Sequence, residues 1–296
     1  MTSFLAPRPD ARRRLRELLD RPAPLLAPGA YDALSARLVE QAGFDAVYMT
    51  GFGTSATLLG RPDIGLLTGS EMADNARRMA AAVSLPVIAD ADTGYGNALN
   101  VVRTVREYEQ AGVAALQLED QVSPKRCGHM SGKAVVDVAE AVAKIRAAVA
   151  ARTDPDLVII ARTDVAQVDG IEAAVDRAQR FADAGADVLF VEAPRTAADV
   201  EAVATKLAGH PLLFNWVEGG QTEGLTLQSV TEMGFRLVIF PISTLLAATA
   251  GMQGVLQALK GQSTTDAYPG PMQSFPEFLD TIGLAGIRDD EQRFSS

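Results

Sequence analysis

Short apolar runs alternate with longer amphipathic stretches along most of this chain. The runs fall at 25–30 (LLAPGA), 44–50 (FDAVYMT), 86–91 (PVIADA), 113–118 (VAALQL), 157–162 (LVIIAR), 186–192 (ADVLFVE), 211–216 (PLLFNW) and 235–241 (FRLVIFP). Runs so short and so uniformly apolar predict strands buried on both faces of a parallel sheet. The stretches between them, 32–42, 70–83, 98–111, 137–151, 170–184, 196–208, 225–233 and 243–260, have helical length and periodicity. Ala42-Gly43, Ala111-Gly112, Ala184-Gly185 and Met233-Gly234 mark helix-to-strand turns, because glycine accepts the left-handed cap. Eight such alternations predict an α/β fold, a closed (β/α)₈ TIM-type barrel, rather than an open doubly wound sheet.

The ends of the chain read differently. Residues 11–20 (ARRRLRELLD) predict a short surface helix stopped by Pro22 and Pro24. Beyond about residue 262 a polar, proline-containing connection leads to helical stretches at 275–283 and 288–294. The expected organisation is one barrel domain over 1–296, with an N-terminal helix in 1–21 and a C-terminal helical extension from about 262 to 296.

Charge removes some functions. Twenty-seven Lys and Arg stand against 37 Asp and Glu, a net charge of −10. Non-specific nucleic-acid binding and attachment to an anionic membrane both need a basic face, so neither is expected. Cys127 is the only cysteine, which rules out an internal disulfide and suits a reducing compartment. No apolar run approaches the ~20 residues of a membrane span, and arginines interrupt the N-terminus where a secretory signal would be apolar, so a cytoplasmic protein is expected. Gly94-Tyr95-Gly96 follows a strand, but no third glycine completes a dinucleotide fingerprint.

Polar residues collect where a barrel does its chemistry, at the carboxyl ends of the strands. They are Tyr48 and Thr50, Asp90 and Asp92, Glu119 and Asp120, Arg162 and Asp164, Glu192, and Asn215. Asp120 and Asp164 also suit helix caps or turns. Asp90 and Asp92 are two apart and would share one face of a strand. With Glu119 they would put three carboxylates in one mouth. Two such charges ~5 Å apart repel by roughly 3 kcal/mol at an effective dielectric of ~20, so protons or a cation must relieve them. Oxygen ligands without His or Cys suit Mg²⁺ or Mn²⁺; an ion-pair network with Arg162 is the alternative. The loop 125–133 (KRCGHMSGK) carries Cys127 and one of the two histidines, His129. It reads either as a basic surface loop or as a proton donor, whose thiol nearby Lys125, Arg126 and His129 would draw toward neutrality.

Asp-Ala-Asp-Thr-Gly-Tyr-Gly at 90–96, Leu-Glu-Asp-Gln at 118–121 and Lys-Arg-Cys-Gly-His at 125–129 together resemble the isocitrate lyase/phosphoenolpyruvate mutase superfamily. The resemblance extends from about residue 22 to 260. It is nearest to 2-alkylmalate and 2-methylisocitrate lyases and to carboxyvinyl-carboxyphosphonate phosphorylmutase-like proteins, with further matches at 59–65, 161–164 and 217–220. It implies a Mg²⁺-dependent lyase that splits a carbon–carbon bond of a small 2-hydroxy dicarboxylate and releases pyruvate or a related 2-oxo acid. It also implies a homotetramer in which the last barrel helix is exchanged. By position, Asp90, Asp92 and Glu119 match the metal shell, partly through water. Tyr48, Thr50 and Gly51 match the carboxylate-holding segment, and Asp63 an acid near the metal. Arg162 matches the cation on the substrate oxygens, Glu192 its acidic neighbour, and Asn215 a polar contact. Cys127, with Gly128 and His129 beside it, matches the acid/base loop. Phe52 and Trp216 depart from the family pattern and would narrow the pocket, and the loop continues as Met-Ser-Gly-Lys. A small 2-alkylmalate is therefore expected rather than a tricarboxylate. Phosphonate-forming phosphorylmutase and oxaloacetate decarboxylase or hydrolase chemistries remain as alternatives.

Overall fold

The computed structural model describes residues 10–128, 132–220, 222, 224–266 and 268–295. The chain opens with helix α1 (Ala11–Leu19), strand β1 (Leu25–Ala30), α2 (Ala33–Gln41), β2 (Val47–Met49), α3 (Gly51–Leu59), α4 (Gly69–Ala82) and β3 (Val87–Asp90). It continues through α5 (Ala98–Ala111), β4 (Ala115–Glu119), α6 (Val138–Ala151), β5 (Val158–Thr163), α7 (Ala166–Asp169), α8 (Ile171–Asp183) and β6 (Val188–Val191). It ends with α9 (Ala197–Lys206), β7 (Leu213–Asn215), α10 (Leu227–Glu232), β8 (Leu237–Phe240), α11 (Ser243–Gln262), α12 (Phe275–Thr281) and α13 (Leu284–Phe294). Each expected strand is present, all pairings are parallel, and the order around the sheet is β6-β5-β4-β3-β2-β1-β8-β7. The circle closes through a single parallel bridge, Leu189 to Leu212. The fold is the TIM-type barrel that the alternation predicts.

The period of two along each strand sorts side chains between two cores. Val47, Met49, Val87, Ala89, Leu116, Leu118, Ile159, Ala161, Leu189 and Val238 pack outward under the helices. Ala27, Tyr48, Ile88, Ala115, Val158, Ile160, Val188, Phe190, Leu213, Leu237 and Ile239 point into the lumen. The inward series continues at the top of the strands into Thr50, Asp90, Glu119, Arg162, Glu192 and Asn215. One parity therefore fills the barrel with apolar groups below and gives it a polar mouth above. Gly43, Gly112, Gly185 and Gly234 all have positive φ, as the helix-to-strand turns require.

Two expectations need correction. Helix α1 is not a surface helix. Leu15 and Leu18 are buried in the same core as Leu25, Val158 and Leu237, so α1 seals the floor of the barrel. Its arginines serve the seal: Arg12 pairs with Asp154 at 2.8 Å and Arg16 with Asp187 at 3.1 Å. Helix α3 was not expected, because Gly51-Phe52-Gly53-Thr54-Ser55 has low helix propensity. Its start is fixed by Thr50, whose hydroxyl accepts from the Gly53 amide at 3.2 Å.

Helix α11 buries none of its residues within the chain, and Leu246, Met252, Leu256 and Leu259 are exposed along it. No helix among the described residues is long and apolar enough to cross a membrane.

Replacing Leu15 by alanine should open a cavity in the floor and cost about 2–5 kcal/mol of stability. Denaturant unfolding would measure it, and a loss below about 1 kcal/mol would mean that α1 is not part of the core.

Candidate active site

The polar mouth opens into a cavity of about 310 Å³ lined by Tyr48, Thr50, Phe52, Asp63, Asp90, Lys125, Cys127, Gly128, Arg162, Glu192 and Asn215, with Ile239, Pro241 and Ile242 on one side. Nine of the expected site residues are in that lining. Gly51 lies directly behind it, since a Cβ there would come within 2.4 Å of Asp90 Oδ2. Only glycine lets that carboxylate sit so close to the start of α3.

Asp90 closes β3 and points inward. Asp92 reaches the same mouth by a different route from strand alternation: the strand has ended, and Asp92 takes a left-handed conformation with φ 45°. Its amide donates to Asp90 Oδ1 at 3.1 Å. Behind Asp90, the Tyr108 hydroxyl donates to the Asp90 carbonyl at 3.0 Å.

Lys125 escaped the sequence reading as a site residue. It is 4% exposed, and its ammonium stands 2.6 Å from Asp63 Oδ2 and 2.8 Å from Asp92 Oδ1. It was expected beside the thiol; it is instead held by these two acids. Burial alone would lower its pKa, but Asp92, Glu119, Asp90 and Asp63 outweigh that and hold it well above the usual lysine range. Burial pushes Asp90 up to about 6, with Asp92 adding to the rise. Burial likewise raises Asp63, against the pull of Lys125, and raises Glu119 well above the carboxylate range, against Arg162. Tyr48 is raised well above 10 by burial and by Asp90, so it stays a phenol and donates to Gln117 Oε1 at 3.3 Å.

Arg162 is gripped from several sides. Its Nε and Nη2 each donate to Asp164 at 2.9 Å, Nε lies 3.4 Å from Glu119, and Nη2 lies 3.9 Å from Glu192. Its guanidinium also stands 5.3 Å from the centroid of the Phe190 ring. Asp120 and Asp164 are therefore not helix caps. Asp120 accepts from Thr163 Oγ1 at 2.6 Å, the Asp164 amide at 2.9 Å and Arg177 at 3.1 Å, and so holds the end of β5. Asp164 is depressed to about 2: burial opposes this, but Arg162 and Lys133 prevail.

The Cys127 segment follows β4. Gln121 clasps Arg126 at both backbone polar groups, 3.0 and 2.8 Å, and the Cys127 amide donates to the Asp63 carbonyl at 3.1 Å. Gly128 lies hard against the site: a Cβ there would stand 2.2 Å from Glu192 Oε1 and 2.5 Å from Arg162 Nη2. The expected partner His129 lies outside the described residues. Of the two departures noted in the sequence, Phe52 does line the cavity. Trp216 does not. It packs against Phe214 at 5.9 Å and Phe240 at 6.1 Å, facing a neighbouring cavity above β6 and β7.

The oxygens available to a metal are those of Asp90, Asp92 and Glu119. Glu119 Oε1 is buried without a hydrogen-bond partner, and Asp92 Oδ1 has only the ion pair with Lys125. Among the described residues no three acids or other metal-binding side chains converge closely enough to enclose an ion unaided. The acids form in part the ion-pair network that was the alternative, with Lys125 and Arg162 as its cations.

A family model described as phosphoenolpyruvate phosphomutase matches residues 15–260, with the acids, Cys127 and Arg162 all inside the match. The chain belongs to this family. This isocitrate lyase/phosphoenolpyruvate mutase chain is an enzyme with lyases among its near relatives. It is 46% identical over 283 residues to 2,3-dimethylmalate lyase of Eubacterium barkeri, covering 96% of this chain and 98% of the relative. It superposes on oxaloacetate acetylhydrolase in complex with 3,3-difluorooxalacetate with a TM-score of 0.92, at 38% identity and 98% and 99% coverage. It superposes on phosphonopyruvate hydrolase in complex with oxalate and Mg²⁺ with a TM-score of 0.86, at 30% identity and 97% and 99% coverage.

Because a methyl group at position 128 cannot share space with Glu192 and Arg162, Gly128→Ala should displace the Cys127 segment. Turnover is expected to fall by about 10²-fold, the scale of a ~1 Å misplacement, with the melting temperature nearly unchanged. Full activity in that variant would mean that the segment does not rest where the structure has it.

Proposed function

We propose that this enzyme cleaves the C2–C3 bond of a small 2-hydroxy dicarboxylate of the 2-alkylmalate kind, with Mg²⁺ or Mn²⁺ as cofactor, and releases pyruvate or a related 2-oxo acid with a carboxylate. The observation that carries this reading is that Cys127 and Arg162 line one cavity together with the acids Asp63, Asp90 and Glu192 and the apolar Phe52, Ile239 and Ile242. The 46% identity to a dimethylmalate lyase supports it.

The donor set suits a divalent ion: oxygen only, with Glu119 Oε1 buried and lacking a donor. Asp90, Asp92 and Glu119 would hold it, in part through water. When bound, such an ion supplies Lewis-acid charge to the hydroxyl and carboxylate oxygens of the substrate. The chain's own groups do the rest. The first amides of α3, at Gly51 and Phe52, would offer N–H donors to one substrate carboxylate, the Thr50 amide being taken by the Ala30 carbonyl at 3.1 Å. Tyr48, held as a phenol, would turn its single proton from Gln117 Oε1 to a substrate oxygen. As the C2–C3 bond breaks, the hydroxyl proton passes to the acidic cluster and C2 becomes the carbonyl of the 2-oxo acid. The bonding pair goes to C3 and spreads onto the departing carboxylate, which Arg162 stabilises. Cys127 then gives its proton to C3. Glu192 and Asn215, joined across β6 and β7 at 3.3 Å, keep Arg162 and the substrate in register. Phe52, Ile239 and Ile242 leave room for an alkyl group but no partner for a third carboxylate.

Oxaloacetate hydrolysis is the second reading, favoured by the superposition on oxaloacetate acetylhydrolase. The two separate on one variant. If the lyase reading holds, Cys127→Ala should lose about 10²–10⁴-fold in 2,3-dimethylmalate cleavage while pyruvate binding in the presence of Mg²⁺ stays within a few-fold. Cleavage at the wild-type rate would remove Cys127 as the donor. Oxaloacetate turnover undisturbed in Cys127→Ser, with no alkylmalate cleavage by the wild type, would establish the hydrolase instead.

We further propose a homotetramer in which α11 is exchanged between neighbours, on the strength of its exposed Leu246, Met252, Leu256 and Leu259. Light scattering should give four times the 31.3 kDa of the chain. A monomer at micromolar concentration would overturn the exchange.

A further inference from the structure

Asp164 and Lys133 have no part in the chemistry just described, yet both are almost wholly withdrawn from water, at 0% and 1% side-chain exposure. A buried ammonium is costly unless its hydrogen-bonding capacity is met, so its partners show what it is there to hold. Lys133 Nζ has two: Asp164 Oδ1 at 2.8 Å and the Gly128 carbonyl at 2.6 Å. Asp164 is already balanced by the bidentate Arg162, whose Nη2 donates to the same Oδ1 at 2.9 Å. Both oxygens of Asp164 are therefore already hydrogen-bonded without Lys133. What Lys133 adds is a hold on Gly128. The same carbonyl accepts from Gln167 Nε2 at 3.2 Å, and Gln167 lies on α7, just beyond Asp164 in the chain.

We propose that Asp164 and Lys133 are positioning residues that tie two parts of the site together, fixing the Arg162 guanidinium with one carboxylate and, through Lys133, the backbone of the Cys127–Gly128 segment. The proposal rests on the reading of Cys127 as the proton donor. One carboxylate oxygen, Asp164 Oδ1, serves both the substrate-binding cation and the hold on the donor's neighbour, so the donor is in place only when the cation is. Asp164 is in turn fixed by Asp120, through its amide and the adjacent Thr163 hydroxyl, so the tie is anchored to β5 and not to a surface loop.

The single cysteine makes a test that needs no substrate. Iodoacetamide alkylates Cys127 and nothing else of its kind in this chain, and the plateau rate at high pH reports access to the thiolate independently of its pKa. In the full-length protein, Lys133→Met should raise that plateau by about 10-fold, because the Gly128 carbonyl loses its charged donor and the segment opens more often. Lys133→Arg should stay within about 2-fold of the wild type, since a guanidinium also donates to both oxygens. In turnover of 2,3-dimethylmalate, Lys133→Met should lower kcat by about 10²-fold with little change in KM, the mark of a misplaced donor rather than a lost binding group. Should Lys133→Met not fold, Gln167→Ala removes only the neutral bond to the same carbonyl and should raise the alkylation plateau by about 3-fold. An unchanged plateau in a folded Lys133→Met, or in Gln167→Ala if that is the variant available, overturns the proposal. If the wild type cleaves no alkylmalate, the functional reading fails, but the alkylation rates still decide whether Lys133 holds the segment.

Discussion

The mouth of this barrel is organised by an excess of buried negative charge. Asp63, Asp90, Asp92, Glu119, Asp164 and Glu192 are all nearly inaccessible to water, and Arg162, Lys125 and Lys133 are the cations among them. Isolated buried charges would be prohibitive, so each cation is shared: Lys125 between Asp63 and Asp92, and Arg162 among Asp164, Glu119 and Glu192. Among the described residues, three cations stand against six carboxylates. Burial and this imbalance go with the raised pKa values of Asp90 and Glu119 and with Glu119 Oε1, which has no donor among the described residues. Such a site has a standing affinity for added positive charge, and the removal of water that makes it costly also strengthens each interaction with a bound anion or metal.

The fold beneath it was legible because its signal is redundant. Eight apolar runs, eight amphipathic stretches and glycines at four of the turns all say the same thing, so errors of a residue or two at each boundary do not matter. Helix α3 was hidden because two glycines and three hydroxyl residues argue against a helix, and only the Thr50 cap and the tertiary setting override them. The buried role of α1 was hidden by its arginines. They run along the rim of the floor to Asp154 and Asp187 while the leucines between them point into the barrel, a snorkelling pattern that composition alone reads as surface.

The site was legible in its acids, its thiol and Arg162, and less so in its supports. Lys125 reads in the sequence as one more basic residue of a basic loop; that it turns into the acids depends on where Asp63 arrives from a distant segment. Asp164 looks like the cap of a following helix, and only the three-dimensional pairing with Arg162 reveals its role. Trp216 was misplaced for a geometric reason. The inward parity of β7 belongs to Leu213 and Asn215, so the next residue faces outward, toward Phe214 and Phe240. Counting from Asn215 would have found that.

The closure of the cylinder has a further meaning. Seven of its joints are ladders, but β6 and β7 meet at one bridge, Leu189 to Leu212. Above that joint stand Glu192 on one side and Asn215 on the other, with the second cavity outside them. A cylinder stitched this way has its thinnest seam there, held by the Leu189 amide on the Pro211 carbonyl at 3.0 Å. Glu192 and Asn215 clasp the top of that seam at 3.3 Å, while Arg162 sits on the fully laddered β5.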